Sequence, residues 1–133
     1  MQPELMVHPD EVVAVIEFLE ASDRLAPFDV DIAGDLKGWQ APEKRITVQT
    51  TGGGFAGLRT ATPQLDINVY GPSKFVAKQI ALTAVADLRS MKNYTTADIV
   101  IIRSQPSWPA DITDPINSNP RFVFDLNLWI RPA

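Results

Sequence analysis

The 133-residue chain has no cysteine, a single histidine, and no run approaching the ~20 apolar residues that a membrane-spanning helix needs. Each shortage removes a class of function. Without thiols there are no disulfides, no thiolate zinc sites and no cysteine nucleophile, and the lack fits a reducing compartment. A serine–histidine triad would have to recruit His8 from the start of the chain, and no G-x-S-x-G elbow accompanies it. Basic clusters are missing too. Twelve Lys and Arg are scattered among 16 Asp and Glu, for a net charge of −4, which disfavours tight binding to a nucleic-acid backbone. The opening residues, MQPELMVHPDEVV, carry no basic segment followed by an apolar core, so the expectation is a cytosolic chain. On that expectation the acceptor-like Asn93-Tyr94-Thr95 never meets the glycosylation machinery.

What remains is an ordinary globular composition, 45% hydrophobic and 21% charged, expected to fold as one domain over residues 1–133. Pro9 suits a first helical position, and Asp10 and Glu11 sit well at the positive end of a helix dipole. This predicts a helix from about Pro9 to Ser22, burying Val12, Val13, Ile16 and Leu19 and leaving Glu17 and Glu20 in water. Alternation predicts strands over Lys44 to Thr51 and Leu65 to Tyr70, with a short strand near Asp29 to Ile32. After Gly71-Pro72, Ser73 caps a second helix through about Met91, lined by Ala77, Ile80, Ala81, Ala84, Val85 and Leu88. Ile99-Val100-Ile101-Ile102 reads as a central strand, apolar on both sides. Pro106, Pro109, Pro115 and Pro120 then mark a surface excursion. In RFVFDLNLWI the even positions Phe122 to Ile130 face a core. The order predicts an α+β fold: a two-layer sandwich with an antiparallel sheet of about 4–5 strands and two helices on one face.

The stretch TGGGFAGLRT fits G-x-G-x-x-G at Gly52, Gly54 and Gly57, the spacing that cradles a dinucleotide pyrophosphate. That chemistry needs a helix after the glycines and an acidic residue about 20 positions on. Here Leu58 to Pro63 leads into a strand, so the stretch reads as an extended, mobile hairpin arm. Asp29, Asp31 and Gly34 echo the opening of an EF-hand loop, but Ala33 and Gln40 occupy positions where calcium needs oxygen ligands. Asp111, Asp114 and Asn117 read as turn formers without ligand spacing. No cofactor and no metal are expected. Trp39 and Trp108 fall in predicted loops and Trp129 on the non-core side of the last strand. Each either folds onto local apolar surface or is buried at a subunit contact, where large aromatics supply binding energy.

Taken together, PQLDINVYGPSKFVAKQIALTAVADLRSM and NPRFVFDLNLWIRP resemble the tail terminator (tail completion) proteins of long-tailed bacteriophages. The pattern is a strand ending in an aromatic and a small turn (Leu65 to Gly71), an alanine-rich helix (Ser73 to Met91), and a closing strand of the form P-R-[YF]-x-F-x-[VL]-x-[VL] (Pro120 to Leu128). The resemblance implies a non-enzymatic virion subunit of the tail, assembled in the host cytoplasm. It implies a self-associated ring, commonly a hexamer, that caps the tail tube, ends its polymerisation and offers a surface for head joining. Implied partners are the tail tube protein and the head-completion protein, with DNA passing through the lumen without specific binding and no membrane involved. On this reading Phe55 anchors the arm, Arg59 adds a polar contact, and Trp108 and Trp129 are further interface residues. Two other classes are a different neck connector subunit and a small-molecule-binding α+β regulatory domain.

Overall fold

The computed structural model describes residues 7–113 and 118–133. Two helices cover one face of a mixed sheet. Helix α1 (Glu11–Glu20) starts where the Asp10 carboxylate accepts a hydrogen bond from the Val12 amide at 2.9 Å, satisfying one of the amides free in a first helical turn. Asp10 is therefore the cap, and Pro9 stands outside the helix. Helix α2 (Lys74–Arg89) is capped in the same way by the Ser73 hydroxyl, which accepts from the Val76 amide.

The strands are β1 (Asp31–Ala33), β2 (Arg45–Phe55), β3 (Ala61–Tyr70), β4 (Tyr94–Thr95), β5 (Ile99–Pro106), β6 (Ala110–Asp111) and β7 (Arg121–Pro132). They form one sheet in the order β1-β2-β3-β7-β5-β4, with β6 also pairing β7. The expected 4–5 antiparallel strands thus become seven, and β1 runs parallel to β2. The additions, β4 and β6, are pieces of two residues, too short for alternation to register, whereas the short strand expected near Asp29 to Ile32 is β1.

Register explains which side chains enter the core. Val69 lies opposite Ile46 and Phe122, Ile67 opposite Val48 and Phe124, and Leu65 opposite Leu126, so one face carries a continuous apolar layer under the helices. Ala14, Val15 and Leu19 of α1 and Ala77, Ile80, Ala81, Ala84, Val85 and Leu88 of α2 close over it. Fully burying each large aliphatic or Phe side chain in such a layer contributes about 1.5–3 kcal/mol. Val13, expected in the stripe, is exposed, and Val12 and Ile16 are only half-buried; Ala14 and Val15 take the inward positions instead. The segment that follows α1 is tied to α2 by Asp87, which accepts from the Ser22 hydroxyl and lies 3.8 Å from the Arg24 guanidinium.

Strand β5 is not central. Its outer neighbour is the two-residue β4, and a bulge between Ile101 and Arg103 leaves Ile102 without a cross-strand partner. Ile99 and Ile101 are buried, while Ile102 is exposed on the other side. Ile99 and Ile101 therefore face the core, Val100 and Ile102 fall on the other side as alternation puts them, and the bulge adds Arg103 to that side.

Candidate assembly surfaces

The sheet face away from the helices is divided in two. At one end Arg45, Thr47, Asn68 and Tyr70 are buried although they point away from the core layer. The cover is the segment between β1 and β2. Trp39 packs on the Tyr70 ring with centroids 5.0 Å apart and donates its indole N–H to the Glu43 carbonyl. Arg45 forms an ion pair with Asp31 at 2.7 Å and donates to the Lys37 carbonyl at 2.7 Å, so both terminal nitrogens of its buried guanidinium are engaged while Nε has no partner. Asp31, one of the EF-hand-like positions, is thereby engaged by an arginine. Trp39 folds onto local surface; nothing in sequence spacing announced that it would shield Tyr70.

The other end of that face is bare. Gln49 and Asp66 are cross-strand neighbours, and Asp66 lies opposite Asp125. Trp129 is half-buried there under the Arg103 guanidinium, which stands 4.8 Å from the ring centroid. Arg103 was not singled out by sequence. The bulge that brings it level with Trp129 leaves no mark in the alternation.

The glycine stretch is strand, not loop. β2 continues through Gly52, Gly53 and Gly54 to Phe55, and the turn is Ala56 to Thr60, closed by the Ala56 amide donating to the Thr60 carbonyl at 2.9 Å. Gly53 has φ of 126°, and a Cβ there would lie 2.3 Å from the Thr62 carbonyl oxygen and 2.7 Å from the Pro63 Cα. A close crossing of two backbones, together with the bulge after Thr50, is what requires glycine here. This geometry is strand–turn–strand, so no helix N-terminus meets the glycines.

Nor is the arm a free extension, as the sequence suggested. The Thr50 hydroxyl donates to the Glu11 carboxylate at 2.5 Å, and His8 Nε2 lies 3.1 Å from the Arg59 carbonyl. A carbonyl only accepts, so this contact is a hydrogen bond with the proton on Nε2. The His8 ring meets the Phe55 ring edge-on at 5.8 Å. These contacts fold the arm toward the start of α1 and frame a cleft of about 550 Å³ whose lining includes Val7, Glu11, Gly53, Phe55 and Ile130.

Beyond the cleft the tip is open: Phe55 is 74% exposed and Leu58 96%. Arg59 is exposed beside them. Trp108, 74% exposed, is elsewhere. Ser107 is bonded to Asp125, and β6 pairs with Val123 and Phe122, so Trp108 stands toward the Tyr70 end of the sheet, whereas Phe55 reaches the Ile130 level. Phe55 and Arg59 are thus brought together, Trp129 lies on the bare face, and Trp108 is separate. Leu58, the most exposed of these side chains, and Phe75 at the start of α2 (73% exposed) join the exposed apolar set. Asp114 and Asn117, expected to be turn formers, fall outside the described residues.

No family model and no curated protein matches the chain. Among solved structures, a chain of the "Virion of native gene transfer agent (GTA) particle" superposes with a TM-score of 0.71 at 10% sequence identity, covering 92% of this chain and 99% of that one. At that identity the likeness is one of fold: two helices on one face of a mixed sheet, shared over nearly the full length of both chains.

Proposed function

We propose that the chain is a structural virion protein that forms a ring on the end of a phage tail tube, ends its polymerisation and presents a surface for head joining. The observation that carries this reading is the fold held in common, almost end to end, with a chain of a gene transfer agent virion. It agrees with the tail-terminator pattern in Leu65 to Gly71, Ser73 to Met91 and Pro120 to Leu128. The distribution of exposed apolar groups supports the same reading. A part placed between tube and head needs two separate contact regions, and Phe55 with Leu58 and Arg59 lies at one end of the sheet while Trp108 lies toward the other. On this reading the chain acts through assembly and not through turnover, and its partners are its own copies, the tube protein and a head-completion protein.

Negative-stain microscopy of the purified protein, alone and mixed with tail tubes, tests the proposal. Rings and capped tube ends are expected. Deleting Gly53 to Leu58 should leave the circular dichroism melt of the core in place and weaken capping. Rings that ignore tubes would transfer the chain to the neck connector reading. A single-copy protein at high concentration that turns over a metabolite would overturn assembly altogether.

A further inference from the structure

The outward faces of the two helices carry opposite charge. On α1 the exposed residues Val13, Glu17 and Glu20 follow one another at helical spacing, and exposed Asp10 stands three residues ahead, so the four share one stripe. No lysine or arginine lies in that helix. On α2 the exposed Lys78, Ala86 and Arg89, with half-buried Leu82 between the first two, recur at steps of three and four and make a second stripe. The one acid of α2, Asp87, is buried and engaged by Ser22 and Arg24 of its own copy. Among the described residues Glu17, Glu20, Lys78 and Arg89 take part in no salt bridge.

The stripes also match in length and relief. From Asp10 to Glu20 is about 15 Å, and from Lys78 to Arg89 about 17 Å, at the rise of an α-helix. Laid antiparallel, Asp10 meets Arg89 and Glu20 meets Lys78, so an acid faces a base at either end. Between them Val13, 50% exposed, comes over the small Ala86, and the Glu17 stem crosses Leu82. The antiparallel direction sets the positive dipole end of α1 beside the negative end of α2. Because both helices cover the same face of the sheet, a copy turned over onto that face makes this contact twice.

We infer that the helix face receives a second copy of the chain about a two-fold axis, with α1 of each copy packed on α2 of the other. This pairing goes beyond the proposed ring and does not depend on it.

Charge reversal and engineered thiols test the pairing. Lys78→Glu with Arg89→Glu should raise the dimer dissociation constant in sedimentation by about tenfold or more with the thermal melt unchanged, and Glu17→Lys with Glu20→Lys should do the same. Mixing the two reversed proteins should restore association, because each helix again meets its opposite. A dissociation constant that ignores either reversal, or a mixture that stays monomeric, would overturn the pairing. The natural chain has no cysteine, so Val13→Cys and Ala86→Cys report the contact alone. An oxidised equal mixture of these single variants should give a covalent dimer on non-reducing electrophoresis, and so should the double variant, while each single variant alone stays monomeric. Dimers from Val13→Cys alone would put α1 on α1, and a ladder from the double variant would replace the two-fold axis with an open series; either result overturns the inference. Rings on tube ends without the Val13–Ala86 dimer would do so too and leave the ring standing. That dimer without rings would support the pairing and count against the ring.

Discussion

The two halves of β2 are the same strand in two environments. Arg45 to Val48 are all buried, between the helices on one face, the Trp39 segment on the other and β1 at the edge. Gln49 to Phe55 are all exposed. The first half is held by burial, the ordinary driving force for a strand. The second half is held by its ladder to β3 and by the Glu11 and His8 contacts, and it contributes little to the core. A strand prolonged for seven residues beyond its own hydrophobic support takes its shape from its ladder and its end contacts, not from the core.

That contrast can be broken from either side. The largest effect is expected in the first half: Ile46→Ala removes a fully buried side chain and should cost about 2–5 kcal/mol in urea denaturation. A loss below about 1 kcal/mol would mean the layer is not the core. Gly53→Ala comes next, at about 1–3 kcal/mol, because both its φ and the Thr62 carbonyl resist a Cβ. Amide exchange should place that loss in the arm, with the Ile46 half still protected; loosening of both halves together would erase the distinction. The smallest effect lies away from β2. The Thr113 hydroxyl and then its amide hold the Asp111 carboxyl below its ordinary value. A depressed folded-state pKa stabilises above the unfolded value, and that contribution is lost as pH falls through the folded one. Thr113→Ala should move the Asp111 titration, followed by NMR, upward toward the ordinary carboxylate value; an unmoved titration would contradict the assignment.

The sequence made the long elements legible. Ser73 as a cap, the alanine-lined face of α2 and the even-numbered residues of β7 all stand where periodicity puts them. Failures came where a local signal has two meanings. Glycines 52 to 54 read as loop because glycine is weak in strands, whereas here a close backbone crossing requires it. Ile99 to Ile102 read as a central strand because an apolar run does not show that its outer neighbour is only two residues long. Of the exposed residues, Phe55 and Trp108 were legible as large apolar groups with no place in a core face. The cover of Trp39 over Tyr70 and the stacking of Arg103 on Trp129 were not, since both depend on segments distant in sequence.

The start of α2 and β6 are joined by the ion pair of Lys74 with Asp111, 3.2 Å apart and largely open to solvent. Attraction between exposed charges fades as mobile ions crowd around them, within about 8 Å at physiological ionic strength and 3 Å at 1 M. The Phe55 end is fastened by the hydrogen bonds at Thr50 and His8 and the ring contact with Phe55, only one of which involves a charge. Added electrolyte therefore weakens the tie between α2 and β6 and leaves the Phe55 end seated, while β6 itself stays paired to β7.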